Sequence, residues 1–164
     1  MLIVFNDRLK LDISEEILGK FHNKEQRIGT NESGGILLGK YELITNTYCI
    51  SDITLPSKND LSGHSFFIRN KKNAQRVIDK SWNNSQGIVN YIGEWHTHCC
   101  QFPTPSSTDA KLMRQIYDDK VCPFNYFFMI IVGQNKNLYI RAINTFEKFD
   151  YSISLQKSIN YGGV

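Results

Sequence analysis

Apolar positions along the chain repeat with two different periods, which predicts an α/β protein. The three-to-four-residue spacing of a helix is found over about 14–23, 72–82 and 107–118. Alternating or continuous apolar residues predict strands over 2–5, 36–41, 48–55, 66–68, 89–98, 126–132 and 138–143. Helices interspersed among strands favour a two-layer or three-layer arrangement of sheet and helices over an all-β fold.

The remaining segments carry weaker signals. Residues 56–63 are polar and rich in turn formers, so we expect an exposed loop there, and a turn over 134–137. The strand at 2–5 is expected to be buried, and the stretch from Thr145 onward has no clear periodicity. The length of 164 residues, without repeats or low-complexity stretches, predicts one domain over residues 1–164.

Composition argues against several classes of protein. Apolar residues make up 41% and charged residues 21% of the chain, a balance typical of a folded domain. The net charge of +3 comes without any basic run, so no nucleic-acid partner is expected. The longest apolar stretch, 126–132, is far shorter than the roughly 18 residues of a membrane span, and the first residues do not resemble a signal peptide. We therefore expect a cytoplasmic protein without a membrane partner.

The cysteines fit that compartment. Cys49, Cys99, Cys100 and Cys122 form no C-x-x-C pair, which argues against a four-cysteine zinc site. Neighbouring cysteines rarely bridge each other, and without a secretion signal free thiols are the expected state.

The candidate chemistry is concentrated in His96-Thr97-His98, followed after seven residues by Ser106 and then by Asp109. Side chains alternate along a strand, so the two imidazoles project from one face, at a spacing that suits a single Zn²⁺ or a similar ion. Asp109, at the third position of the predicted helix, would add an oxygen ligand. Three protein ligands with one open position are typical of a catalytic zinc site rather than a structural one.

Each half of this pattern also has an ordinary structural interpretation. Ser106-x-x-Asp109 before an apolar-periodic run is a helix capping box, and His-x-His on a strand is common without a metal. His98 and Asp109 are only eleven residues apart, with a predicted helix start between them, and this combination favours the metal site. The capping role and the metal role are compatible with each other.

A metal hydrolase also needs a base that is not a ligand, to take the proton of the attacking water. Glu94 shares strand parity with the two histidines. Glu32 lies far upstream and precedes a predicted strand whose paired glycines allow close backbone approach. Spacing alone leaves both glutamates as candidates.

These residues occur in a familiar order. Glu32, then Gly34-Gly35-x-Leu-x-Gly39, then His96-Thr97-His98, Ser106 and Asp109 together resemble the JAMM motif of JAB/MPN-domain metallopeptidases. The flanking segments 67–69 and 91–95 are similar to the short stand-alone bacterial members, and the similarity covers roughly 32–132. The resemblance implies a single-domain MPN/JAB fold, cytidine-deaminase-like, with a mixed β-sheet flanked by helices.

The resemblance also implies a role for each residue. One Zn²⁺ per chain would be held by His96, His98 and Asp109. Glu32 would be the general base, and Ser106 would steady the oxyanion of the tetrahedral intermediate. Glu94 would then be structural.

The implied activity is hydrolysis of a peptide or isopeptide bond at the C-terminus of a ubiquitin-like or conjugated protein substrate. The resemblance is greatest to the deconjugating peptidases of CBASS antiphage operons, which release a cGAS-like nucleotidyltransferase from its conjugation targets. A peptidase that processes a sulfur-carrier protein and a non-catalytic MPN-like scaffold are the alternatives. Loop 56–63 and turn 99–104 are candidates for gripping the substrate because they lie close to the motif.

Two features of the motif region bear on this interpretation. Cys99 stands where the family usually has proline, which loosens the loop and places a thiol, a soft ligand, beside the metal ligands. Gly34-x4-Gly39-Lys40 matches part of a phosphate-loop pattern, but Tyr41 replaces the required serine or threonine. The intervening residues are strand-like, so no nucleotide site is expected there.

Overall fold

Within the described residues, ten strands and three helices follow one another, and eight of the strands form one mixed sheet. The computed structural model describes residues 1–118 and 124–154. The elements are β1 (Leu2–Asn6), β2 (Leu9–Asp12), α1 (Glu15–His22), β3 (Gly34–Glu42), β4 (Thr47–Ile53), β5 (Leu61–Gly63), β6 (Phe66–Ile68), α2 (Lys71–Asn84), β7 (Asn90–Thr97), α3 (Ser107–Asp118), β8 (Phe127–Val132), β9 (Asn137–Ile143) and β10 (Lys148–Ser154). The sheet order is β1-β2-β4-β3-β7-β8-β9-β10, and β5 and β6 form a separate hairpin.

Helices cover both faces of the sheet. Ile17, Leu18 and Phe21 of α1 belong to the core on one face, whereas Ala74 of α2 and Met113 of α3 belong to the core on the other. Strands β7 and β8 are parallel neighbours, and a parallel pair needs a crossover connection, which here contains α3. This crossover brings the start of α3 close to the end of β7.

The centre of the sheet is its most apolar part. All six residues of β8 are buried, as expected of a strand with helices on both of its faces. Strand β7 lies between β3 and β8, and its Trp95 is 1% exposed and packs edge-on against Phe21 of α1. The packed strands and helix around β7 therefore hold the residues at its end in place.

The three predicted helices and seven predicted strands are confirmed, with small shifts of their ends. The predicted burial of the first strand is wrong, because β1 is an edge strand in which Leu2 and Val4 are 56% and 51% exposed. Strands β2 and β10 were not predicted: β2 has only four residues, and β10 interleaves its apolar residues with charged ones. The predicted loop 56–63 is mostly exposed, but its last three residues form β5.

Two further predictions concern membranes and thiols. No helix within residues 1–118 and 124–154 is long and apolar enough to cross a membrane. Cys49, Cys99 and Cys100 are free thiols, as predicted, and Cys122 lies outside the described residues.

Candidate metal centre

The two histidines are placed by the central strand β7 and its continuation. His96 pairs with Gly34 of β3 on one side and with Ile131 of β8 on the other. His98 follows the strand directly, and its backbone N–H donates to the carbonyl of Val132 at 2.9 Å. Both rings project from this fixed backbone, and their Nε2 atoms lie 3.2 Å apart.

Asp109 reaches the histidines from the first turn of α3. Ser106 directly precedes the helix, and its Oγ accepts a hydrogen bond from the Asp109 backbone N–H at 3.1 Å. In return, the Ser106 N–H and hydroxyl both donate to Asp109 Oδ2, each at 2.7 Å. This confirms the predicted capping box. The same carboxylate still faces the two imidazoles.

The three side chains fit a tetrahedral metal ion. Asp109 Oδ1 lies 3.3 Å from His96 Nε2, and Asp109 Oδ2 lies 3.4 Å from His98 Nε2. Ligand atoms at the usual distance of about 2.0–2.1 Å from a tetrahedral Zn²⁺ are about 3.3–3.4 Å from one another. The imidazole–imidazole separation of 3.2 Å is close to this value, and so are the imidazole–carboxylate separations of 3.3 and 3.4 Å, which end on different oxygens of Asp109.

The electrostatics keep the Asp109 carboxylate ionised, as a metal ligand must be. Burial opposes the charge, but the hydrogen bonds with His96, His98 and Ser106 outweigh it and hold the pKa of Asp109 well below its usual range. Its side chain is 17% exposed, so the carboxylate is largely but not fully buried.

Glu32 lies in the segment that leads into β3, and its carboxylate shares the electrostatic field of the cluster. Its backbone N–H donates to the carbonyl of Gly63 in the β5–β6 hairpin at 2.8 Å. Burial raises the pKa of Glu32, while the nearby imidazoles of His96 and His98 act in the opposite direction and Asp109 adds to the rise. A raised pKa increases the proton affinity of the carboxylate, which suits a general base.

Glu94 has different surroundings. Its Oε1 accepts hydrogen bonds from Arg69 Nε at 2.7 Å and from the Tyr91 hydroxyl at 2.8 Å. The Arg69 and Glu94 side chains are 22% and 17% exposed, so this is a largely buried ion pair. Through these bonds the Glu94 carboxylate links the end of the β5–β6 hairpin to β7.

Close backbone packing brings Glu32 to the histidines. Gly34 pairs with His96, and a Cβ at Gly34 would lie 2.5 Å from the Phe67 ring. The fully buried Thr97 accepts a hydrogen bond from the Ser33 N–H at its Oγ1, at 2.9 Å, and its own N–H donates to the Ser33 carbonyl at 2.9 Å. The sequence analysis missed Thr97, although a polar residue between two candidate ligands, on the opposite strand face, is a usable signal.

Cys99 is outside the cluster of possible ligands in the described part of the chain. Its thiol is exposed, and its Sγ lies 3.6 Å from Gln134 Nε2. The prediction that residues 34–40 form no phosphate loop is confirmed, because they lie within the extended strand β3.

Comparison with known proteins agrees with this arrangement. Residues 14–145 match the family model described as prokaryotic homologs of the JAB domain. A CD-NTase/cGAS isopeptidase from Enterobacter hormaechei is 31% identical over 104 residues, which cover 63% of this chain and 56% of that protein. A protein of the same name from Pseudomonas aeruginosa is 29% identical over 140 residues, covering 84% of this chain and 85% of that protein.

A solved structure shows the same fold. The solution structure of protein DSY2949 from Desulfitobacterium hafniense has a TM-score of 0.53 at 15% identity, with 84% of each chain covered. This likeness concerns the fold alone. Because the family model matches most of the chain and the sheet-and-helix arrangement fits it, the chain belongs to the prokaryotic JAB-domain family and has an MPN/JAB fold.

Proposed function

We propose that this protein is a zinc-dependent isopeptidase of the JAMM type, which hydrolyses the bond at the C-terminus of a ubiquitin-like or conjugated protein. The observation that carries the proposal is the triangle formed by His96, His98 and Asp109, whose ligand atoms lie within 4.8 Å of one another. The separations between neighbouring nitrogen and oxygen atoms are close to those around Zn²⁺. The Glu32 carboxylate interacts electrostatically with the cluster without being part of it.

The substrate is proposed from the relatives. Four of them, 29–33% identical to this chain, are named CD-NTase/cGAS isopeptidase. The chain spans little more than half the length of the Enterobacter relative, at 56%, and nearly the full length of the Pseudomonas relative, at 85%. We propose that this protein releases a cGAS-like nucleotidyltransferase from the targets to which its C-terminus is joined.

The side chains at the site have separate roles in the proposed reaction. When bound, Zn²⁺ supplies Lewis acidity, which lowers the pKa of water from about 16 to about 7 and polarises a carbonyl oxygen. The Glu32 carboxylate takes the proton of the attacking water and delivers it to the leaving amine. Neither His96 nor His98 is free for this step, because both Nε2 atoms face the metal position.

The proposed role of Ser106 is to stabilise the oxyanion of the tetrahedral intermediate. Its hydroxyl now donates to Asp109 Oδ2, and a rotation of the side chain would redirect that proton to an oxyanion beside the metal. The Ser106 backbone N–H keeps its own 2.7 Å bond to Asp109 Oδ2, so the aspartate stays in place when the hydroxyl turns. Such a donor contributes about 3 kcal/mol of transition-state stabilisation in other enzymes.

Two surface segments border the metal position and are proposed to hold the substrate chain. The β5–β6 hairpin touches Glu32 through the carbonyl of Gly63. On the other side, the turn after His98 carries Phe102, which is 70% exposed. An extended peptide placed between them would present its scissile bond to Glu32 and Ser106.

The experiment that tests this function offers the zinc-loaded protein three fusions in parallel. One carries the C-terminus of a cGAS-like nucleotidyltransferase at its junction, one the di-glycine end of a ubiquitin-like protein, and one a sulfur-carrier protein. We expect cleavage of the nucleotidyltransferase fusion to be fastest, with none by the Glu32→Gln variant. Faster cleavage of the sulfur-carrier fusion would mean that a sulfur-carrier protein is the substrate instead. A purified protein that binds no zinc and cleaves none of the fusions would favour a non-catalytic scaffold.

A further inference from the structure

Gln26 is a buried polar residue that the proposed mechanism does not use. It lies between α1 and β3 and is 3% exposed. Its Nε2 donates to the carbonyl of Thr30 at 2.9 Å and to the carbonyl of His64 at 3.0 Å. Both amide hydrogens are therefore used to join two segments that are distant in sequence.

The two carbonyls that Gln26 holds belong to the two segments that the Glu32 backbone hydrogen bond joins. Thr30 is two residues before Glu32 in the chain. His64 follows Gly63, whose carbonyl accepts the Glu32 N–H at 2.8 Å, and His64 Nδ1 lies 3.2 Å from the Thr30 carbonyl. Gln26 thus adds a side-chain link between the segment that carries the base and the hairpin that accepts its backbone N–H.

A further hydrogen bond connects Gln26 to the region of the turn after His98. The backbone carbonyl of Gln26 accepts a hydrogen bond from Gln134 Nε2 at 3.2 Å, and the same Nε2 contacts Cys99 Sγ. Through Gln134, Gln26 therefore connects the segment of the base with the loop that follows the second histidine.

Folding alone does not account for a glutamine here. Its Oε1 is buried and has no hydrogen-bond partner within the described residues, which is unfavourable for stability. Thr30 and His64 are both exposed residues, so the buried amide of Gln26 joins two surface segments. An apolar side chain of similar length would remove the unpaired oxygen together with the two hydrogen bonds that join the segments.

We propose that Gln26 is a positioning residue for Glu32: it fixes the 30–32 segment against the hairpin so that the carboxylate keeps its place beside the metal ligands. The proposal rests on the role of Glu32 as the base. Because a shift of about 1 Å in a reacting group costs on the order of 100-fold in rate, a looser segment should lower turnover without weakening substrate binding.

The first test compares Gln26→Met with Gln75→Met. The control makes the same chemical change at an exposed glutamine of α2, whose amide bonds to Asp79. In the zinc-loaded protein we expect Gln26→Met to lower kcat by roughly 10- to 100-fold, with KM within about twofold and zinc content unchanged. Gln75→Met should match the wild type. A wild-type kcat in Gln26→Met overturns the proposal, as does a rise in KM that accounts for the whole loss.

The second test does not depend on activity. Hydrogen exchange followed by mass spectrometry should show faster exchange in Gln26→Met at residues 27–35 and 61–68, with β8 unchanged. Exchange that rises equally in β8 would show a loss of global stability and overturn the positioning role. If the wild type cleaves nothing, the proposed function fails, and the exchange pattern still decides whether Gln26 holds the segment.

Discussion

Glu32 and Glu94 have opposite surroundings, and the contrast shows what makes a carboxylate available for catalysis. Glu94 is two residues from His96 in sequence, yet Arg69 and Tyr91 both donate to its Oε1. Glu32 is 64 residues from His96, yet it shares the electrostatic field of the metal cluster, and no donor within the described residues bonds its carboxylate. Two donors hold the Glu94 carboxylate in place, whereas burial raises the pKa of the Glu32 carboxylate and thereby its proton affinity.

The largest effect is expected at Glu32. Glu32→Gln preserves shape but removes the proton acceptor, so kcat should fall on the order of 1000-fold, within the range of general-base catalysis. Zinc content should stay at the wild-type level, because Glu32 is not part of the His96–His98–Asp109 cluster. Steady-state cleavage and elemental analysis of the same sample measure both quantities. Undiminished turnover here, with loss in Glu94→Gln instead, would reverse the assignment of the base.

Ser106→Ala should have the next largest effect. Removal of an oxyanion donor lowers kcat on the order of 100-fold, and loss of the cap destabilises α3 by about 1 kcal/mol. The neighbouring Ser107→Ala, on an exposed position of the same turn, is the matched control and should leave kcat unchanged. Equal kinetic losses in both variants would mean that the helix start as a whole, rather than the Ser106 hydroxyl, is responsible.

Glu94→Gln should affect stability more than activity. The Arg69–Glu94 pair is largely buried, so its rupture should cost about 2 kcal/mol, below the 3–5 kcal/mol of a fully buried pair because some water reaches it. For a chain of this size that lowers Tm by roughly 4–8 °C, with kcat within a fewfold of wild type. Glu42→Gln breaks an exposed pair with Lys40 and should leave Tm unchanged. A kinetic loss as large as that of Glu32→Gln would mean that Glu94 takes part in the reaction.

The smallest effect is expected at Cys99. Its thiol is exposed and outside the ligand cluster, so Cys99→Ser should change kcat by less than about twofold and leave zinc affinity unaltered. Competition titration with a chelator measures the affinity. A clear drop in zinc affinity would show that the thiolate takes part in metal binding.

Much of the site could be predicted from the sequence because its signals are local. The His-x-His pair depends only on strand alternation, and Ser106 and Asp109 depend only on the rules for a helix start. The helices could be predicted for the same reason, since the spacing of their apolar residues is visible within one continuous segment of sequence.

What could not be predicted depends on contacts between distant segments. Arg69 is 25 residues from Glu94, and nothing in their spacing pairs them. Gln26 lies in a polar stretch without periodicity, and its partner His64 is 38 residues away. The exposure of β1 follows from its place at the sheet edge, which the apolar run Leu2–Phe5 does not reveal. Local pattern identifies elements and candidate ligands, while the choice between two glutamates requires the tertiary structure.

Zinc content is the most direct test of the central claim. Elemental analysis of the purified wild type should find about one zinc per chain, and His98→Ala should find none, because only two ligands remain to hold the ion. His64→Ala removes an exposed imidazole outside the cluster and should keep the metal. A wild type that cleaves its substrate without zinc, or a His98→Ala variant that retains it at full stoichiometry, would contradict the account.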